Sequence, residues 1–166
     1  EDRTAELRER ERLYRSLVEN VSQGSYIADR RGFFRYCNPA MGAMGGYATE
    51  ELLGKSSFRL VAEEDRGWVM AAYAERIADP AVLHWACEFR VVAKDGRKFW
   101  VEQITHFVRD ATGRVIEGRN LLRDITERKR AAEALQQARD ERLRELERVR
   151  RRIATDLHDD IGSSLT

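Results

Sequence analysis

The last sixteen residues of the chain, RRIATDLHDDIGSSLT, carry its strongest chemical signal. Ile153, Leu157, Ile161 and Leu165 recur every four positions and mark one side of a helix. His158 lies about 100° round that helix from Leu157, off the stripe and toward solvent. One turn before it stands Ala154 and one turn after it Gly162, so the smallest side chains flank the imidazole. A histidine with that much room is a nucleophile open to an incoming group. Gly162 inside a helix costs about 1 kcal/mol relative to alanine, which clearance for a docking domain would justify. The alternative is a helix that ends at Gly162.

The segment that must position this histidine is a long helix. From Thr126 to about Leu157 there is neither glycine nor proline. Leu135, Leu146, Val149, Ile153 and Leu157 draw an apolar stripe through a densely charged sequence. A helix so long and so widely exposed needs a partner along its length, and pairing with a second copy in parallel supplies one. Arg139 and Arg142 occupy seam positions between Leu135 and Leu146, which predicts a local change of supercoil and a weak, easily altered zipper. Residues 1–20 also lack glycine and proline. Leu7, Tyr14, Leu17 and Val21 form a narrow seam there, interrupted by Arg10.

Between these helices the pattern shortens. SYIAD and FFRYC flank Arg30-Arg31-Gly32 and read as a hairpin. A helical stretch broken by glycines follows from Pro39 to Gly54, then a longer helix through Arg66–Ile77. WACEFRVVA and KFWVEQITHFV are joined across Lys94-Asp95-Gly96-Arg97, and a turn at Asp110–Gly113 leads into VIEGRNLLRDI. A hairpin, small helices and a three-strand meander make an α+β domain, an antiparallel sheet with helices on one side.

Composition limits the function. Basic residues number 30 and acidic residues 29, a net charge of +1, which argues against a general nucleic-acid or membrane-surface binder. Of the basic residues 26 are arginine. Glu141, Glu145 and Glu147 sit among those of the long helix and would repel DNA phosphates, against a basic DNA-contacting region. Cys37 and Cys87 provide neither a disulfide framework nor zinc spacing, and no metal site is expected. No apolar run approaches the ~18 residues of a membrane span. These features predict a cytoplasmic chain, with attachment of a longer parent to a membrane left open.

The succession YIADRRGFFRYCNPAM, GGYATEELLGKSS, AKDGRKFWVEQ and LLRDITERKRAAEAL resembles a PAS domain over about residues 10–130. N-P-A after a short hairpin, K-D-G before an aromatic strand and a closing D-I-T-E-R-K occur in the family's order. The resemblance implies a five-stranded antiparallel sheet with helices over its concave face and a ligand cavity between. It also implies that Asp124, Ile125 and Thr126 relay a signal between the last strand and the outgoing helix. Thr126 further suits an N-cap and Glu127 a first helical turn. Flavin photochemistry of the LOV type requires a cysteine where this chain has Ser57, and haem-binding members carry an axial histidine in the helix that here reads EEDRGWVMAAYAERI. Both cofactors are disfavoured. By alternation Phe99, Val101, Gln103, Thr105 and Phe107 share a face, which the family comparison turns toward the cavity. An unidentified small molecule is then the expected ligand. Gln103 and Thr105 would orient it, or bond to each other or to a buried water. His106 points outward as a surface or interface residue. Trp100 and Ile104 on its face call for a cover, either the N-terminal helix or a second subunit.

Finally, RIATDLHD resembles the phosphoacceptor box of two-component sensor histidine kinases of the R-I-x-x-x-L-H-D class. The resemblance implies that His158 accepts the γ-phosphoryl of ATP and that Asp159 orients and polarises the imidazole. A carboxylate at the other ring nitrogen fixes the tautomer and supports the developing positive charge. Ser163 replaces the glutamine that in many members positions water for dephosphorylation, which puts phosphatase activity by that route in doubt. Neither an asparagine box nor a glycine-rich lid is present, so ATP and Mg are expected to bind in a catalytic domain outside these residues, and the chain to be an inactive fragment alone. The resulting expectation has four parts: an N-terminal helix at 1–20, a PAS sensor at 21–126, a coiled-coil linker at 127–149 and the start of the phosphoacceptor helix at 150–166. The partners expected are a second copy, through both helices, and the receiver domain of a response regulator, with no nucleic acid. A dimerising adaptor with no enzymatic role is the alternative.

Overall fold

The computed structural model describes residues 23–163. The expected N-terminal helix and Leu165 lie outside the described residues. The chain divides between Thr126 and Glu127 into two units.

The first unit is built on five strands: β1 Gly24–Asp29, β2 Phe34–Cys37, β3 His84–Val92, β4 Lys98–Arg109 and β5 Val115–Asp124. They form one sheet in the order β2-β1-β5-β4-β3, every neighbouring pair antiparallel. The expected α+β architecture is present. Its hairpins rest on local turn chemistry. At the β4–β5 turn Asp110 Oδ1 accepts the amides of Thr112 and Arg114, and Gly113 takes φ 83°, a left-handed value that glycine adopts at no steric cost. Asp29 plays the same part at the β1–β2 turn, accepting from Arg31 and Phe33.

The expected helical stretch from Pro39 to Gly54 resolves into α1 Pro39–Gly45 and α2 Thr49–Leu52, followed by a 3₁₀ turn at Ser57–Leu60. The split has a steric reason. At Gly42 a Cβ would stand 2.4 Å from the Tyr47 carbonyl oxygen, so the chain folds back too closely for a longer helix or a larger residue. Asn38, wholly buried, caps α1: its Oδ1 accepts from Met41 and from Ser25 of β1, each at 2.9 Å. Pro39 then sits in the first turn, where no amide is needed. The next helix, α3 Glu63–Ala78, starts three residues before the expected Arg66, because Glu63, Glu64 and Asp65 suit a helix N-terminus.

One arginine fastens the other end of α3. Arg109, at the end of β4, donates to the carbonyls of Arg76, Ile77, Asp79, Val82 and Gly113 at 2.7–3.3 Å. It satisfies acceptors that the helix C-terminus leaves open. Phe34, Val101, Phe107 and Val115 form the most deeply buried part of the apolar core between the helices and the sheet.

The second unit is a helix. The element α4 spans Thr126–Ser163 and buries none of its described residues. It continues through Gly162, so the alternative of a stop there is set aside. Leu143, which the sequence stripe passed over, is among its most exposed apolar residues at 61%. It lies about 80° round from Leu135, on the edge of the stripe and level with Ile161.

Candidate functional site

His158 is exposed on α4, as are Ala154, Asp159 and Gly162 around it. A Cβ placed on Gly162 would meet nothing within 4 Å. The approach to the ring is therefore open on the side expected from the sequence. Thr155 and Ser163, the other small polar residues nearby, turn their hydroxyls onto their own helix and donate to the Arg151 and Asp160 carbonyls, both at 3.0 Å. An exposed imidazole with a free approach can attack an electrophile delivered from another domain, and nothing in its own turn competes for it.

The junction residues occupy a different setting. Ile125 is buried at 3% exposure, and its amide donates to the Trp100 carbonyl of β4 at 2.9 Å. Thr126 Oγ1 accepts the Trp100 amide at 3.0 Å, and Asp124 Oδ1 accepts the Thr126 amide at 2.9 Å. Ile125 and Thr126 thus clamp both backbone groups of one β4 residue, and Asp124 holds Thr126 in place. Thr126 was expected as the N-cap; α4 instead begins at Thr126 itself, and this hydroxyl bond reaches sideways to the sheet.

Behind the junction lies a cavity of about 50 Å³ between the inner sheet face and the helices. Phe99, Gln103 and Thr105 line it as expected from the alternation; Val101 and Phe107 are buried beside it but do not form its wall. Four of its polar lining residues form a hydrogen-bonded network. Tyr26 donates to Gln103 Oε1 at 3.0 Å, and Gln103 Nε2 donates to Thr105 Oγ1 and Asn120 Oδ1. Thr105 donates to Asn120 Oδ1 at 2.7 Å, and Asn120 Nδ2 donates to the Gly118 carbonyl at 3.0 Å. Gln103 and Thr105 bond to each other at 3.0 Å. Burial holds the Tyr26 phenol well above its ordinary range, so it stays a neutral donor. Burial also pushes the Tyr73 hydroxyl, which donates to the Arg30 carbonyl at 2.9 Å, up to about 12.

Tyr26 and Asn120 were missed from the sequence. Period-two counting along β1 and β5 places Tyr26 between Gly24 and Ala28, and Asn120 between Gly118 and Leu122, all buried. On the outer face Ile104 and Leu121 are exposed, each at 44%, and His106 is exposed as expected. No helix among the described residues is long and apolar enough to cross a membrane.

The sheet order, the short helices over one face and the clamped exit into a helix define a sensor module of the PAS type. Residues 34–119 match the PAS fold family, and the chain belongs to it. Among solved structures it is similar to an RNA-binding light-oxygen-voltage receptor (28% identity, TM-score 0.65, covering 76% of this chain and 36% of that one). It is likewise similar to a domain of the sensory box sensor histidine kinase/response regulator from Geobacter sulfurreducens (26% identity, TM-score 0.58, covering 71% and 96%). A sensory box histidine kinase/response regulator from Burkholderia thailandensis shares the fold at 23% identity, with TM-score 0.64 over 79% and 98%. None of the curated proteins matches the chain. The first unit is therefore a PAS sensor domain similar to those of sensor histidine kinases, a signalling module.

Proposed function

We propose that the chain is the sensory and dimerising part of a two-component histidine kinase, in which the PAS domain governs ATP-dependent phosphorylation of His158 and onward transfer to a response regulator. The observation that carries this reading is the single uninterrupted helix that leaves the sensor domain at Thr126 and displays an unobstructed imidazole 32 residues later, within R-I-x-x-x-L-H-D. His158 attacks the γ-phosphorus of ATP, the bond to ADP breaks, and Asp159 supports the cationic ring. ATP and Mg belong to a catalytic domain outside these residues. Two copies of α4 pair along Leu135, Leu143, Leu146, Val149, Ile153 and Leu157.

The cavity or the sheet surface is where the signal acts. At about 50 Å³ the cavity takes a few water-sized groups, far less than a haem or flavin, and neither histidine nor cysteine lines it. The side chains of Tyr26, Gln103, Thr105 and Asn120 already bond to one another, so a polar ligand that engages them must break their network. That event moves β4 and β5. The clamp of Asp124, Ile125 and Thr126 on Trp100 carries that movement into α4, where Arg139 and Arg142 interrupt the seam and permit two packings.

The test supplies a separate ATP-binding catalytic domain and radiolabelled ATP to the chain extended through a second dimerisation helix. Label that survives base, is lost in acid and is absent from His158→Gln supports the kinase. Absence of label in a folded dimer favours the adaptor reading.

A further inference from the structure

The outer sheet face holds a histidine pair for which the phosphotransfer reading has no use. His84 opens β3, and His106 stands directly opposite it on β4. The Phe107 amide donates to the Leu83 carbonyl at 2.9 Å, which makes the adjoining residues Leu83 and Phe107 a backbone-bonded pair. His84 and His106 consequently occupy the position without backbone bonds between them, where cross-strand side chains approach most closely. Both residues are exposed. Their Nδ1 atoms are 3.2 Å apart while the ring centroids are 4.6 Å apart, so the two nitrogens lie on the facing edges of the rings.

We propose that His84 and His106 form a two-histidine chelate for a late first-row divalent ion, with copper(II) bound most tightly and nickel or zinc less so. Metal–imidazole bonds of about 2.0–2.1 Å that close a 3.2 Å gap meet at about 100°, between the square-planar and tetrahedral values. The remaining coordination positions face solvent and take water. Charge around the pair permits a cation. Arg119 lies opposite His106 on β5, but its Nε donates to Glu117 Oε1 at 2.9 Å, so a carboxylate already offsets it. On the other side β3 is the sheet edge, and among the described residues no further strand faces His84. Ala86 and Ile104, next along the same outer face, are uncharged. No third histidine, cysteine or carboxylate joins the group among the described residues, which limits the protein to two ligands. Bound there, the ion ties the start of β3 to β4 beside the Val82 carbonyl that Arg109 holds, and so reinforces the connection from α3.

The experiment is a copper(II) titration of the chain, read by the nitrogen hyperfine pattern in electron paramagnetic resonance and by calorimetry. One ion per chain with two imidazole nitrogens is expected. His84→Ala and His106→Ala should each weaken binding by at least about tenfold, whereas His158→Gln, on the other unit, leaves it unchanged. Circular dichroism confirms that these surface variants fold. Zinc should raise the melting temperature of the parent chain and not that of the double variant. Copper binding that persists in the double variant, or that His158→Gln removes, overturns the assignment, as does absence of binding to the parent chain.

Discussion

The sensor domain and α4 solve the same problem in opposite ways. In the domain, nearly every polar group that leaves water finds a partner inside it: Asn38 joins β1 to α1, Arg109 collects five carbonyls, and four polar residues of the cavity wall bond to one another. Such networks specify one arrangement and carry a heavy cost when broken. In α4 no described residue is buried, and the charges meet solvent or one another, as in the Arg148–Glu145 pair at 2.9 Å. Exposed pairs of that kind contribute at most about 1 kcal/mol. The domain is thus stable from within, while the helix has no comparable network of its own; under the proposed reading it depends on association, and that dependence suits it to a switch.

Arginine truncation separates the two regions most sharply. Arg109→Ala strips α3 of its C-terminal donors and should cost about 2–4 kcal/mol in a denaturant titration, whereas Arg144→Ala on α4 should stay within about 0.5 kcal/mol. Equal effects would end the contrast.

Next comes Asp65, whose carboxylate accepts from the backbone and guanidinium of Arg90 at 2.7–2.9 Å. The guanidinium bond outweighs burial and lowers its pKa from 3.8 to about 2. A depressed folded-state value stabilises the protein above pH 4, and the contribution is lost as pH falls toward 2. Asp65→Asn should therefore cost about 2 kcal/mol at neutral pH, the gap to the parent chain closing between pH 4 and pH 2. A gap independent of pH would show that the ion pair is not its source.

Replacing Arg139 and Arg142 by leucine should fill the seam of α4 and lower the dimer dissociation constant on the order of tenfold by sedimentation, with unfolding of the sheet unaltered. In the full-length kinase proposed above, the same change should mute the response to signal; an output that remains fully responsive would remove the role given to the broken seam. The smallest effect is expected at the junction. Thr126→Val deletes the bond to the Trp100 amide and should cost about 1 kcal/mol, yet uncouple sensor from output, so that loss of stability without loss of response argues for a merely structural clamp.

Much of this was legible from the residues because local chemistry dictated it. Alternation in KFWVEQITHFV grouped the residues of one β4 face and the family resemblance turned that face inward, while N-P-A and the D-x-x-G turns marked where helix and hairpin begin. The reach of Arg109 was not legible: its five acceptors come from two segments that only the tertiary fold brings together. The His84–His106 pairing was within reach, since a three-residue loop at Lys94-Asp95-Gly96 sets the register that puts them opposite. The split between α1 and α2 was not, because the close approach at Gly42 depends on the path of Tyr47. Leu143 escaped notice because a four-residue count passes beside it.

Hydrogen exchange followed at two chain concentrations tests the central contrast most directly. The account predicts amides of β1, β4 and β5 protected equally at both, and those from Leu135 to Leu157 protected only where the chains associate. Protection of α4 that is the same at high dilution would contradict it.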